Sequence, residues 1–197
     1  YQEVRKYKVI GDAMTDAGYY GRNTLTCTTL KDPDGNMSST YKDMFGNVVL
    51  ERRGGDHDTY YVYDDYNRLR FVLSPKYQDE ASHDKFAYEY RYDGRGNVIY
   101  KKLPGCKPIE YEYDMADRVI KMQDGLLRAK GKYRVYEYDG LGRLKKQSIA
   151  DSIHVEYDEF VNFYDNYDYL DEYSDLIPEN KVDETDLSPL LHHSGIG

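Results

Sequence analysis

The chain has 197 residues, with 36 Asp and Glu against 27 Lys and Arg, and its apolar content leans on 24 tyrosines with no tryptophan. That length suffices for one or two small domains with a buried core, while a net charge of −9 speaks against a nucleic-acid surface. Two cysteines, Cys27 and Cys106, are too few for a disulfide framework or a cysteine-built zinc site, and no apolar run is long enough to cross a bilayer as a helix.

In chain order, residues 1–23 read as an N-terminal strand and turn region, opening on Tyr1 without methionine or a signal-peptide pattern, as expected of a piece cut from a longer polypeptide. From residue 24 a short unit recurs. Anchored on aspartate, its copies are DPDGNM from Asp32, DMFGNV from Asp43, DDYNRL from Asp64, DGRGNV from Asp93, DMADRV from Asp114 and DGLGRL from Asp139. The fourth position holds Gly35, Gly46, Asn67, Gly96, Asp117 and Gly142, the residue types that best tolerate positive φ. The fifth is always Asn or Arg, and the sixth is Met37, Val48, Leu69, Val98, Val119 or Leu144. In the last four copies Tyr63, Tyr92, Tyr113 and Tyr138 stand directly before the aspartate, and Tyr61, Tyr90, Tyr111 and Tyr136 two residues earlier; the first two copies have Lys31 and Lys42 before it.

Aspartate at the first position and glycine at the fourth are type I turn preferences, and Pro33 adds proline at the second position of the first copy. Each copy therefore predicts a hairpin whose fourth residue sits in the left-handed region as a bulge. In that register Asp64 faces Arg68, Asp114 faces Arg118 and Asp139 faces Arg143. Tyr63 faces Leu69, Tyr92 faces Val98, Tyr113 faces Val119 and Tyr138 faces Leu144. Cross-strand pairs of these kinds contribute roughly 0.2 to 1 kcal/mol each. Recurrence at a turn assigns Asp43, Gly46, Asp64, Arg68, Asp93, Gly96, Asp114, Arg118, Asp139, Gly142 and Arg143 to structural pairing rather than to catalysis. The tyrosines admit two readings: a packing face between repeats, or a ligand stripe, because tyrosine offers an apolar face and a polar tip.

The pattern in VYEYDGLGRL, with its variants YEYRYDGRGNVI, IEYEYDMADRVI and TYYVYDDYNRLR, resembles the YD repeat of RHS proteins, a group that includes bacterial polymorphic toxins and shares the repeat with animal teneurins. Steps of 21 residues from Asp43 to Asp64 and from Asp93 to Asp114, of 25 from Asp114 to Asp139 and of 29 from Asp64 to Asp93 accompany the motif. The resemblance implies an all-β chain of antiparallel hairpin repeats forming a curved, open sheet, the arc of a shell, exported or displayed at the cell surface. It implies no cofactor. The expected partners are the remainder of the parent polypeptide and, through the exposed tyrosines, a glycan or another cell-surface protein, with weak self-association through the unpaired edges of the sheet.

The repeat region is expected over residues 24–163, with Asp158 opening a further degenerate copy through Val161, Asn162 and Phe163. Residues 164–197 read as an acidic peripheral segment and connector, since residues 151–197 carry only Lys181 against 13 acids. Asp165, Asp168, Asp171 and Asp175 lack the order of a calcium loop and read as a solvated acidic face. His57, His83, His154, His192 and His193 form no metal motif, no nucleophile elbow or phosphate loop is present, and Cys106 lies in a Pro-Gly turn without a positioned base. The expected function is a non-catalytic wall or interaction scaffold, with a carbohydrate-binding or adhesive module as the alternative.

Overall fold

Short alternating runs of tyrosine, valine, isoleucine and threonine between glycine-bearing turns favour strands that pair with their sequence neighbours. The structure, a computed structural model, describes residues 3–54, 57–152 and 154–164. Its strands are β1 (Arg5–Ile10), β2 (Ala13–Tyr19), β3 (Thr26–Lys31), β4 (Met37–Lys42), β5 (Val48–Arg53), β6 (His57–Tyr63), β7 (Leu69–Leu73), β8 (Ala87–Tyr92), β9 (Val98–Lys102), β10 (Ile109–Tyr113), β11 (Val119–Gln123), β12 (Tyr133–Tyr138), β13 (Leu144–Ala150) and β14 (Val155–Val161). Strands β3 to β14 form one antiparallel 12-stranded sheet in strict sequence order, while β1 and β2 pair separately. Among the described residues the sheet is open, with β3 and β14 at its edges, and the all-β architecture expected from the turns is the one found.

Among the described residues, three short helices fill connections at the end of the sheet opposite the turns at Asp43, Asp64, Asp93, Asp114 and Asp139, the end that also carries the Asp32 turn. Helices α1 (Tyr77–Glu80) and α2 (His83–Phe86) join β7 to β8, and α3 (Gly125–Ala129) joins β11 to β12. These insertions account for the stretched steps from Asp64 to Asp93 and from Asp114 to Asp139. Asp124 starts α3 by accepting the backbone N–H groups of Leu126 and Leu127 on its side chain.

Cross-strand register assigns the faces. The pairs Tyr61↔Val72↔Tyr88, Tyr90↔Lys101↔Ile109 and Tyr111↔Met122↔Arg134 put the repeat tyrosines on one face. The opposite face carries Leu50, Tyr60 and Phe71, and the β1–β2 hairpin covers it there. Val4, Leu50, Tyr60, Val62, Phe71, Leu73, Tyr77 and Ala87 form that core, with Tyr7, Val9 and Met14 packed against it from the hairpin. The Tyr7 ring meets Tyr60 edge to face at 5.5 Å. At the hairpin tip Asp12 bonds Arg70 at 3.0 Å and Arg91 at 3.1 Å, and Arg70 also donates to the Gly11 carbonyl.

One expectation is corrected. Asp158 does not open a turn: it lies within β14, paired with Ser148, whose Oγ it accepts at 2.7 Å. Its neighbours Glu156, Tyr157 and Glu159 already alternate as an edge strand, so no turn residue is available to reverse the chain there. Tyr90, Tyr111 and Tyr136 are half-buried: the single sheet covers one side of each ring and leaves the other side to solvent. The acidic stretch from Asp165 onward lies outside the described residues.

Candidate functional site: the turn rim and the tyrosine face

Each aspartate turn is built by one carboxylate. Oδ1 of Asp43 accepts the backbone N–H groups of Phe45 and Asn47, both at 2.9 Å, and the same pair of bonds recurs at Asp64, Asp93, Asp114 and Asp139. Oδ2 takes the fifth side chain: Asn47 at 3.1 Å, Arg68 Nε at 3.0 Å, Asn97 at 3.1 Å, and Arg118 and Arg143 Nε at 2.7 Å. The backbone closes the same loop, with Asp64 N–H to the Arg68 carbonyl and Asn67 N–H to the Asp64 carbonyl. All six fourth-position residues have positive φ, from 59° at Asp117 to 96° at Gly96. At Asp64 burial raises the carboxyl pKa, but the Arg68 backbone and side-chain bonds outweigh it and hold the group below its ordinary value. At Asp114 the Arg118 bonds dominate outright, again lowering the pKa. A carboxylate satisfied in this way is a turn former, with little left for a substrate.

One feature was not anticipated from the motif. After the sixth residue the ladder slips by one: Tyr41 pairs with Leu50 but Lys42 with Val48, and equivalent shifts recur in the four following hairpins. The extra residue of each bulge is Val49, Arg70, Ile99, Ile120 or Lys145. A bulge turns two consecutive side chains to one side, which is why Val49 and Leu50, and Arg70 and Phe71, are buried in pairs. It also disturbs the ladder beside the sixth-residue carbonyl, and that oxygen receives a tyrosine hydroxyl from further along the chain. Tyr63 donates to Val48 at 3.1 Å, Tyr92 to Leu69 at 2.8 Å, Tyr113 to Val98 at 2.8 Å, Tyr138 to Val119 at 2.7 Å and Tyr164 to Leu144 at 2.9 Å. Burial raises the phenol pKa of Tyr63, Tyr92, Tyr113 and Tyr138, so each stays a proton donor. The first copy, β3–β4, has Lys31 in place of the tyrosine and no slip in its register.

Of the two tyrosines per unit, the one beside the aspartate is therefore committed to its neighbour through its hydroxyl. Those two residues earlier, Tyr61, Tyr90, Tyr111 and Tyr136, lie along the same face without that bond; Tyr61 donates instead to Glu51 at 3.2 Å. A cleft of about 690 Å³ opens where β1 meets the second and third turns, with Lys6, Tyr20, Phe45, Tyr61 and Asp65 among its walls. Cys27 and Cys106 are exposed free thiols. Among the described residues no three His, Cys, Asp or Glu gather as metal ligands, and no helix is long and apolar enough to cross a membrane.

No family model matches the sequence, and no curated protein matches it. Solved structures do. A segment of a Photorhabdus luminescens Tc holotoxin pore structure superposes with a TM-score of 0.50 at 16% identity, over 66% of this chain and 6% of that one. The chain has the YD-repeat fold. A TcdB2–TccC3 crystal structure is also similar, at TM-score 0.46 and 13% identity, over 68% of this chain and 9% of that one. The chain spans less than a tenth of these toxin chains, and at such identities the likeness is one of fold.

Proposed function

We propose that this chain is a non-catalytic structural segment of a longer YD-repeat polypeptide, an arc of wall in a shell or interaction scaffold at the cell surface or outside the cell. The observation that carries the reading is the hydroxyl-to-carbonyl bond by which Tyr63, Tyr92, Tyr113 and Tyr138 each lock one hairpin onto the preceding one, repeated by Tyr164, just past β14, on the Leu144 carbonyl. Turn carboxylates saturated within their own loops support it, as does the fold shared with segments of far larger toxin chains. The immediate partner is the rest of the parent polypeptide, continuing the sheet at its open edges. The repeat region at residues 24–163, preceded by the 1–23 segment and followed by the acidic 164–197 segment, is the domain division that goes with this role.

Substituting Tyr90, Tyr111 and Tyr136 together by alanine, with thermal melting and a glycan array read on the same preparations, tests the proposal. A wall segment loses stability and shows no specific glycan signal in either form. Specific glycan binding by the parent chain, abolished by the substitutions while the melt is unchanged, would replace the scaffold reading with the adhesive one.

A further inference from the structure

The turns opened by Asp43, Asp64, Asp93, Asp114 and Asp139 lie along one end of the sheet and touch one another there, and the contacts fall into two kinds. Where the fifth residue is arginine it lies across the next turn. Arg68 donates through Nη1 to the Asp93 carbonyl at 3.1 Å, with its guanidinium 5.0 Å from the Tyr92 ring centre. Arg118 stands 4.7 Å from the Tyr138 ring centre, and its Nη1 would be 3.2 Å from a Cβ at Gly142. Both arginines face a turn with glycine at the fourth position. Where the fifth residue is asparagine, its amide is too short to reach the ring and bonds the fourth side chain instead: Asn47 Nδ2 to Asn67 Oδ1 at 2.5 Å, returned by Asn67 Nδ2, and Asn97 Nδ2 to Asp117 Oδ1 at 2.7 Å. Asn67 and Asp117 are the two fourth-position residues that are not glycine, held at φ 63° and 59°. Asp117 is further paired with Arg95 at 3.0 Å.

We propose that the fifth residue of each turn is a recognition element that selects the hairpin beside it. Arginine fits a neighbour with tyrosine before the aspartate and glycine at the fourth position, whereas asparagine fits one with Asn or Asp there. Local turn chemistry alone favours glycine at every fourth position. The departures at Asn67 and Asp117 follow asparagine, and the glycines at 96 and 142 follow arginine, so the four junctions between the last five copies all obey the rule. The Asp32 turn takes no part: it joins β3 to β4 at the opposite end of the sheet from the Asp43 turn, beside the β5–β6 connection at Arg53, Gly54 and His57, so Asn36 has no neighbouring aspartate turn to select. The physical content is steric and polar at once. At Gly142 the Arg118 guanidinium, 3.2 Å from a Cβ there, crowds out a polar side chain; at Gly96 the Cβ position is open and Arg68 engages the turn through the Asp93 carbonyl instead; and a carboxamide facing glycine has lost its partner.

Two double-mutant cycles in the full chain, read as thermal midpoints, test the rule. Gly142→Asn and Arg118→Asn each lower the midpoint by about 2–4 °C, and the double variant, which recreates the Asn–Asn junction, regains at least half of the combined loss. In the second cycle Asn67→Gly, which relieves positive-φ strain within its own turn, lowers the midpoint in the parent chain but raises it once Asn47→Ala has removed the partner. Additive shifts in either cycle overturn the proposal and leave each turn as an independent unit.

Discussion

At the scale of single residues, the turn carboxylates make stability depend on pH with a definite sign. Asp32, Asp64, Asp93, Asp114 and Asp139 all have pKa values below the ordinary 3.8. At Asp64, Asp93 and Asp139 burial opposes the shift, and the bonds from Arg68, Asn97 and Arg143 outweigh it; at Asp32 and Asp114 the bonds from Asn36 and Arg118 are the largest influence. A depressed carboxyl pKa contributes stability that is complete above the unfolded value and lost as pH falls through the folded one. The melting temperature should therefore hold steady above the ordinary carboxylate range and fall below it, with a smaller acid-induced fall in the Asp64→Asn chain. A melt independent of pH down to acid unfolding would contradict this. The same turns make a backbone prediction: Gly96→Val, at φ 96° with open space around its Cβ position, should cost about 1 kcal/mol or more by strain alone, measured in denaturant.

The element scale is where the hairpin and its neighbour separate. Tyr113 and Tyr111 sit two residues apart on one strand and one face, yet only Tyr113 reaches a carbonyl of the preceding hairpin. Tyr113→Phe should cost about 0.5–1.5 kcal/mol, the net value of one such bond, whereas Tyr111→Phe should leave the melt nearly unchanged; equal effects would mean that the hydroxyl bond contributes nothing of its own. The sequence foretold the pairing of Tyr113 with Val119 and of Asp114 with Arg118, because turn type and the side-chain period of two fix them over six residues. It did not foretell that Ile120 would bulge. A bulge is marked by no residue type, and its partner, the tyrosine hydroxyl, lies outside the hairpin that contains it. The Asp12 latch on Arg70 and Arg91 was equally hidden, since those residues are about 58 and 79 positions apart in the chain and no local pattern links them. The tyrosine motif was legible as a stripe, while which tyrosine of each pair serves as the fastener was not.

For the whole molecule, an open sheet in strict sequence order has two edges, and they are unequally guarded. Strand β3, TCTTLK, is exposed at all six positions, consists mainly of β-branched and small residues, and carries a single charge at Lys31. Strand β14 exposes Val155, Tyr157 and Phe160 but alternates them with acids, of which Glu156 pairs with Lys132 and Glu159 with Arg134. A long unpaired edge offers N–H and C=O groups as a template for another chain, and edge charges are the usual defence. Self-association should thus run through β3. Because β3 and β14 are different strands, a β3-to-β14 contact is heterologous and open rather than a closed dimer, and the acids of β14 keep it weak. Sedimentation velocity at increasing protein concentration should show a rising mean sedimentation coefficient. Thr28→Lys, a charge at the centre of β3, should suppress that rise, and Val155→Lys at the other edge should reduce it less. A coefficient independent of concentration, together with slow amide exchange along β3, would mean that this edge is already covered and that the chain is a self-contained unit rather than a stretch of wall.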